Sequence, residues 1–431
     1  MKGTILLKGG YIVDPASGFE GISDLLIKDG IIAARGALSE AEQRPDRVID
    51  ADGLVVFPGL VDLHVHLRDP GQTEKEDIAS GSRAAAHGGV TTLLAMPNTR
   101  PPMDSVSRIS YVVSKAAEVS PVHILQAASI TEGMQGEKAT DIEALCAAGV
   151  RAFSEDGKSV MDARVMLGAM KRIAAADALI CDHCEDIGMV AGGVMNEDAN
   201  SARMGLPGIS NAVEDTIAAR DIVLAEAAGA RLHLCHCSTE GSVRILRAAK
   251  REGVRVTAEV CPHHFLLTSD DIPGDDANFK MNPPLRTARD VQALKEGLAD
   301  GTIDCISTDH APHTADEKRK GFLGAPFGIT GLETSAALTY TGLVKTGVLT
   351  LMQMAEKMST NPARILGVPG GSLMEGAPAD IAVFDFSAER VIRPSGFFSK
   401  GKNSPFAGRT VYGTVRYTFV DGEIVWEDCD D

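Results

Sequence analysis

The sequence predicts an α/β fold: a (β/α)8 TIM-type barrel with a small composite β-sandwich formed by the N- and C-terminal segments. Three observations carry this. Eight short β-type runs recur through the central region with helical patterns between them, and strands separated by helices imply parallel βαβ units. Both flanks consist of short β-type pieces and turns. At 431 residues the chain is long enough for one barrel-sized unit and a smaller partner.

The eight runs are, in order, GLVDLHVHL, TTLLAMP, VHILQAAS, VRAFSED, ALICDHC, RLHLCHC, VTAEVCPHHFLL and DCISTDH. Helical patterns such as VSRISYVVSKAAEV, DARVMLGAMKRIAAA, TIAARDIVLAEAAG and VQALKEGLADG lie between them, and several end in glycine, a common helix stop. The flanks read as TILLKGG, DLLIKDG and LVVFPG at one end and ADIAVFDF and VRYTFVDGEIVWED at the other. Neither flank buries a sheet face alone, so residues 1–56 and 370–431 are expected to share one sandwich beside a barrel at 57–369.

Composition narrows the function. A formal net charge of −17 opposes a nucleic-acid partner, which needs a basic footprint. No run approaches the roughly 18–20 apolar residues of a membrane helix. The start, MKGTILLKGGYIVDP, has no apolar core of signal-peptide length. Eight cysteines without a dense pattern suit a reducing cytoplasm. The pairs Cys181/Cys184 and Cys235/Cys237 are weak zinc signals beside the simpler reading of buried thiols. With aromatics at only 4%, small aliphatic side chains must fill most of the core.

The chemistry gathers at the ends of the predicted strands. In GLVDLHVHLRDPG, residues 59–71, alternation puts Asp62, His64 and His66 on one face. At the C-terminal end of a barrel strand that face is the mouth, where active sites of this fold lie. Strand 4 ends with Glu155 and Asp156, strand 5 with His183, strand 6 with His236, and strand 8 with Asp309, His310 and His313. Accidents would scatter along the strands; recurrence at corresponding ends points to a shared metal site. Four histidines and two carboxylates suit two adjacent divalent ions with positions left open for water. Arg68 follows on the same alternation, where a guanidinium can grip a carboxylate through two parallel bonds. Its plainer reading is a surface pair with Asp69 or Glu74. Asn98 could equally be a turn residue, His313 solvent-exposed and Asn282 a loop cap.

Taken together, DLHVHLRDPG, AMPNT at 95–99, FSEDG at 153–157, MNPPLR at 281–286, STDHAPH at 307–313 and NPARILG at 361–367 resemble the amidohydrolase superfamily and, within it, the bacterial class I dihydroorotases. The resemblance covers nearly the whole chain. It implies reversible, zinc-dependent cyclisation of N-carbamoyl-L-aspartate to L-dihydroorotate in pyrimidine biosynthesis. In the hydrolytic direction, metal-activated hydroxide attacks the ring carbonyl and Asp309 serves as catalytic base and acid. It further implies two Zn²⁺ ions per subunit, one on His64, His66 and Asp309, the other on His183 and His236, with Asp156 bridging. Glu155 should face away from the site, and Lys158 is a remote alternative bridge. Substrate contacts are expected from His66, Arg68, Asn98, Asn282, His313 and the backbone at Phe327 and Gly328. The implied partners are the small-molecule substrate and a second copy in a homo-oligomer, with an aspartate carbamoyltransferase complex as a further option. Another cyclic amidase, a hydantoinase or allantoinase, and a non-catalytic scaffold are the competing readings. His263 and His264 are ambiguous as secondary contacts, whereas His87, His123 and His233 read as structural. The segment 314–328 reads as a loop able to cover the substrate.

Overall fold

The computed structural model describes residues 3–428. Each central run forms a strand: Leu60–Val65, Val90–Ala95, His123–Gln126 continued by Ala128–Ser129, Ala152–Ser154, Leu179–Asp182, Arg231–Leu234, Val256–Val260 and Cys305–Ile306. Pairings between neighbouring strands of this set are parallel. The ring closes between the first and eighth strands. Val65 bridges His310 in parallel, and Thr308 Oγ1 donates to Asp62 Oδ2 at 2.6 Å. Asp62 therefore ties the seam beneath the mouth, and burial raises its carboxyl to about 6.

Strands covered on both faces must be apolar along their length. Leu60–Val65 and Val90–Ala95 are accordingly buried at every position. The predicted helices fall at Val106–Val119, Ala163–Ala175, Ala212–Ala228 and Ala288–Ala299. Asp162 caps the second by accepting from the backbone N–H groups of Arg164 and Val165. The third stops at Gly229, whose φ of 65° is the left-handed turn that glycine adopts without steric cost. The seventh run is shorter than its apolar length suggests. Its strand ends at Val260, and Pro262 opens the helix Pro262–Leu266, a position where a missing N–H costs nothing.

Strands from both ends of the chain share one eight-stranded sheet. Its order is Glu423–Glu427, Thr410–Val420, Ile381–Val391, Val55–Pro58, Ile5–Asp14, Phe19–Lys28 and Ile31–Gly36, with Arg47–Asp50 beside Ile5–Asp14. Leu7, Ile12, Leu25 and Ile27 from one half and Ile381, Val383 and Phe419 from the other form one buried cluster. The two ends meet where Val55–Pro58 pairs antiparallel with residues 381–384; that strand crosses the 56/57 boundary expected from sequence. The scarce aromatics concentrate where the sheet meets the barrel. Phe57 packs edge-on to Phe384 at 5.5 Å, and Phe386 stacks on Tyr340 at 4.1 Å. This seam fixes the strand that leads directly into His64 and His66.

Candidate active site

The C-terminal strand ends bring the six residues of the proposed metal set together. His64 Nε2 lies 3.1 Å from Asp156 Oδ1 and 3.7 Å from Asp309 Oδ1. His66 Nε2 lies 3.1 Å from Asp309 Oδ1 and 3.4 Å from Asp156 Oδ2. On the other side, His183 Nδ1 and His236 Nε2 are 2.9 Å apart, at 3.5 and 3.6 Å from Asp156 Oδ1. Asp156 thus stands between the two groups, its Oδ1 toward His64, His183 and His236 and its Oδ2 toward His66. Glu155 turns away, its Oε2 accepting from the N–H groups of Ile130 and Thr131 at 3.1 and 3.0 Å. Lys158 Nζ reaches instead toward Met134 O.

The donor set fits a divalent metal. All six residues are buried, and His64 Nε2 and Asp156 Oδ1 lack hydrogen-bond partners although enclosed. Buried polar atoms are rarely left so, and an ion is one of the few explanations. Burial opposes ionisation of Asp156, but His64, His183 and His236 hold its carboxyl well below the usual range. Asp309 is likewise lowered to about 2, against the effect of burial, chiefly by His66 and His64. Both carboxylates are therefore charged at neutral pH.

Behind the histidines stand two carboxylates that the sequence did not single out, Glu259 and Glu185, and with them Asn98. His64 Nδ1 donates to Glu259 Oε1 at 3.0 Å, His233 Nε2 lies 3.2 Å from Glu259 Oε2, and His236 N donates to Glu259 Oε1 at 3.3 Å. His183 Nε2 sits 3.5 Å from Glu185 Oε2. His66 Nδ1 donates to Asn98 Oδ1 at 2.9 Å, and Asn98 Nδ2 donates to Asp156 Oδ2 at 3.1 Å. Such partners fix ring orientation and tautomer, so that the opposite nitrogen presents its lone pair. Replacing Glu259 by Gln is expected to weaken zinc affinity by about 10–100-fold, measured by competition with a chromophoric chelator. Unchanged affinity would remove Glu259 from the account.

Three site residues adopt left-handed backbone: Arg68 at φ 57°, His236 at 32° and Asp309 at 47°. Such conformations cost of order 1–3 kcal/mol for residues other than glycine and gather at functional sites. Next to the histidines lies a cavity of about 170 Å³, lined by His66, Arg68, Asn98, Asn282, Asp309, His313, Phe327 and Gly328 among others. Every predicted substrate contact borders it. Among the described residues Arg68 forms no ion pair within 4 Å. The neighbour expected to neutralise it, Asp69, instead binds Lys115 Nζ at 2.6 Å and Tyr111 Oη at 2.9 Å. Arg68 is 8% exposed, so a buried guanidinium borders the cavity with no carboxylate within ion-pair distance.

The rest of the rim is held by hydrogen bonds. His313 Nε2 donates to Phe327 O at 2.7 Å, and burial with Arg68, Lys318 and Lys75 nearby lowers its pKa to about 2, keeping it neutral. Gly328 has φ 132°, and a Cβ there would lie 2.7 Å from Ala311 O, so only glycine keeps this turn close to the site. Asn282 Nδ2 donates to Glu185 Oε1 at 2.7 Å. His263 and His264 do not border the cavity, so the sequence reading of His264 as a secondary contact is not supported. His233 is structural as expected, its Nδ1 2.8 Å from Thr257 Oγ1; His87 is 2.6 Å from Glu333 Oε1. The cysteine pairs are free buried thiols, and Cys429 lies outside the described residues.

The segment 314–328 contains two short helices, Ala315–Lys318 and Gly321–Gly324. Two buried lysines pin it. Lys318 Nζ donates to Lys280 O and Pro326 O at 3.1 and 3.0 Å, and Lys280 Nζ donates to Ala325 O at 2.6 Å. Burial, with Lys280 nearby, pushes Lys318 from 10.5 down to about 7. The native state then binds fewer protons than the unfolded chain between these values, so stability rises with pH across that window. Relative to Lys318→Met, the wild type should gain on the order of 2 kcal/mol in urea unfolding between pH 7 and 9. A difference independent of pH would contradict the burial.

Both the sequence and the fold are similar to those of known proteins. Residues 53–242 match a family model described as Dihydro-orotase-like, and residues 276–426 match one described as Amidohydrolase family. A dihydroorotase of Geobacillus kaustophilus is 52% identical over 401 residues, spanning 93% of this chain and 94% of its own. The chain belongs to the dihydroorotase family. Another dihydroorotase, of Halalkalibacterium halodurans, is 49% identical over 423 residues and 98% of each chain. Among solved structures, the dihydroorotase-family chain is similar to an L-hydantoinase (dihydropyrimidinase) from Arthrobacter aurescens, with a TM-score of 0.88 and 28% identity over 99% of this chain and 96% of that one. A D-hydantoinase (dihydropyrimidinase) from Thermus sp. gives 0.86 and 26% over 98% and 95%. The hydantoinases thus share the barrel and its β-rich flank, while sequence identity separates the family from them. Membership makes the chain a metal-dependent cyclic amide hydrolase.

Proposed function

We propose that this site interconverts L-dihydroorotate and N-carbamoyl-L-aspartate with loss or uptake of water, the ring-closing step of pyrimidine (UMP) biosynthesis. The observation that carries the reading is Arg68: a buried cation without a carboxylate partner, on the same cavity as the converging histidines and aspartates. An unpaired buried charge is costly, and an anionic substrate relieves that cost. Dihydroorotate is a cyclic amide bearing one exocyclic carboxylate, so a single molecule supplies both the anion and the scissile bond.

In this reading His64, His66 and Asp309 would hold one Zn²⁺ and His183 and His236 a second, with Asp156 as the carboxylate available to both. When bound, the ions supply Lewis-acid polarisation of the ring carbonyl and acidify water. Arg68 grips the carboxylate, with Asn98 and His313 beside it. Asn282 and the backbone at Phe327 and Gly328 align the polar edge of the ring, and His66 closes the wall next to the reacting carbonyl. Asp309 accepts the proton of the attacking water and passes it to the departing ring nitrogen, acting as base and then acid. Ring closure uses the same groups in reverse.

Assembly as a homo-oligomer rests on the sequence resemblance. A complex with aspartate carbamoyltransferase rests on the sequence resemblance alone. Free thiols support a cytoplasmic setting, and among the described residues no helix is long and apolar enough to cross a membrane. The metal assignment is tested by chelation. Turnover of L-dihydroorotate should fall as dipicolinate withdraws two equivalents of metal and return when two equivalents of Zn²⁺ are restored. Full turnover after both are removed would overturn it.

A further inference from the structure

The sequence CPHH at the end of the seventh barrel strand takes no part in the site described above. Cys261 follows strand Val256–Val260, and His263 and His264 lie in the helix Pro262–Leu266 that it caps. All three are at least 98% buried. Each offers a donor atom, and the three donors lie within 4.8 Å of one another. The two rings are tilted at 57° with centroids 4.2 Å apart.

What distinguishes this trio is unmet hydrogen bonding. His264 Nε2 donates to Pro283 O at 2.9 Å, which fixes the tautomer with the lone pair on Nδ1. That Nδ1 is enclosed without a partner, and so is His263 Nε2. In the donor groups built around Glu259, by contrast, that carboxylate is paired with His64 and His233. Enclosed, unpartnered donor atoms also mark the proposed catalytic centre, at His64 Nε2 and Asp156 Oδ1. One thiol and two imidazoles form a donor set for zinc or cobalt.

We propose that Cys261, His263 and His264 form a separate metal site for a borderline-soft divalent ion such as Zn²⁺, structural in role and set behind the substrate cavity. Bond lengths of about 2.0–2.3 Å put tetrahedral donors roughly 3.3–3.6 Å apart, so the side chains close in modestly around the ion. Three protein donors leave one position for an enclosed water. Binding converts the Cys261 thiol to a thiolate and releases its proton to solvent. Because His264 also holds Pro283 O, the ion would brace the segment that carries Asn282.

The proposed catalytic ligands include no sulfur, so a thiolate-bound ion has its own signature. Protein produced with Co²⁺ should show thiolate-to-cobalt charge-transfer absorption in the near ultraviolet. Its cobalt content should drop by one equivalent per chain, with loss of that absorption, in Cys261→Ser and in His263→Gln. The absorption should persist in Cys235→Ser, the control because Cys235 lies among donors of His64 and Glu259. Absence of the absorption in wild-type protein, its survival in Cys261→Ser, or its loss in Cys235→Ser alone would each overturn the proposal. Should the Cys261 and His263 variants fail to fold, zinc-edge X-ray absorption on wild-type protein after dipicolinate treatment decides. One residual zinc with one sulfur and two imidazole neighbours supports the site; no residual zinc, or a shell without sulfur, excludes it.

Discussion

Asp309→Asn should lower the hydrolysis of L-dihydroorotate by about 10³-fold or more while the protein stays folded. Asp309 borders the substrate cavity with Oδ1 3.1 Å from His66 Nε2, and its carboxyl, lowered to about 2, is available as a proton acceptor at neutral pH. Asparagine keeps the shape and one oxygen but cannot accept and return a proton. It also tolerates the left-handed backbone at this position, φ 47°, better than most residues. Alanine combines backbone strain with loss of a ligand and is the less informative variant. Metal content measured alongside turnover separates the two roles: Asp309→Asn saturated with Zn²⁺ should contain metal and remain inactive. Turnover within tenfold of wild type would remove Asp309 from proton transfer.

The second large effect belongs to Arg68. Arg68→Met should reduce kcat/KM for L-dihydroorotate by about 10²–10³-fold, mostly through KM, as expected when one partner of a buried charge pair is lost. The neutral ring dihydrouracil, which lacks the exocyclic carboxylate, should change little. Arg68→Lys should recover only part of the loss, since an ammonium cannot reproduce two parallel bonds to a carboxylate. The expectation follows from where the local charges go. Asp69 is taken by Lys115 and Tyr111, and Arg68 is left with weak contacts from Nε to Pro312 O and from Nη2 to His313 Nε2, both at 3.4 Å. Equal losses on the charged and neutral rings would point to collapse of the cavity instead.

Much of this site is legible in the sequence because the barrel converts alternation into direction. His64 and His66 both approach Asp309, while Glu155 turns away from the site that Asp156 enters. The strand nevertheless ends at Val65, Arg68 lies beyond it on left-handed backbone, and Asp62 binds the seam instead. The carboxylates behind the histidines were not legible. Glu259 stands in VTAEV as one acid in an apolar strand, and only the neighbouring strands bring His64 and His233 against it. Glu185 follows His183 by two residues, but nothing local reveals that Asn282, far along the chain, reaches it. The seventh run misled through its apolar length, because the strand yields to a helix at Pro262. The continuous sheet joining the two ends was legible only as a shared need for burial; its order depends on pairings between residues more than 300 positions apart.

The most direct test of the central claim is hydrolysis of L-dihydroorotate and dihydrouracil by the same Zn²⁺-loaded wild-type protein. Expected are rapid opening of the carboxylated ring and a kcat/KM for the neutral ring lower by about 10²-fold or more. Equal turnover of both rings, or none of dihydroorotate with metal bound, would contradict a site built around Arg68 and the strand-end metal ligands.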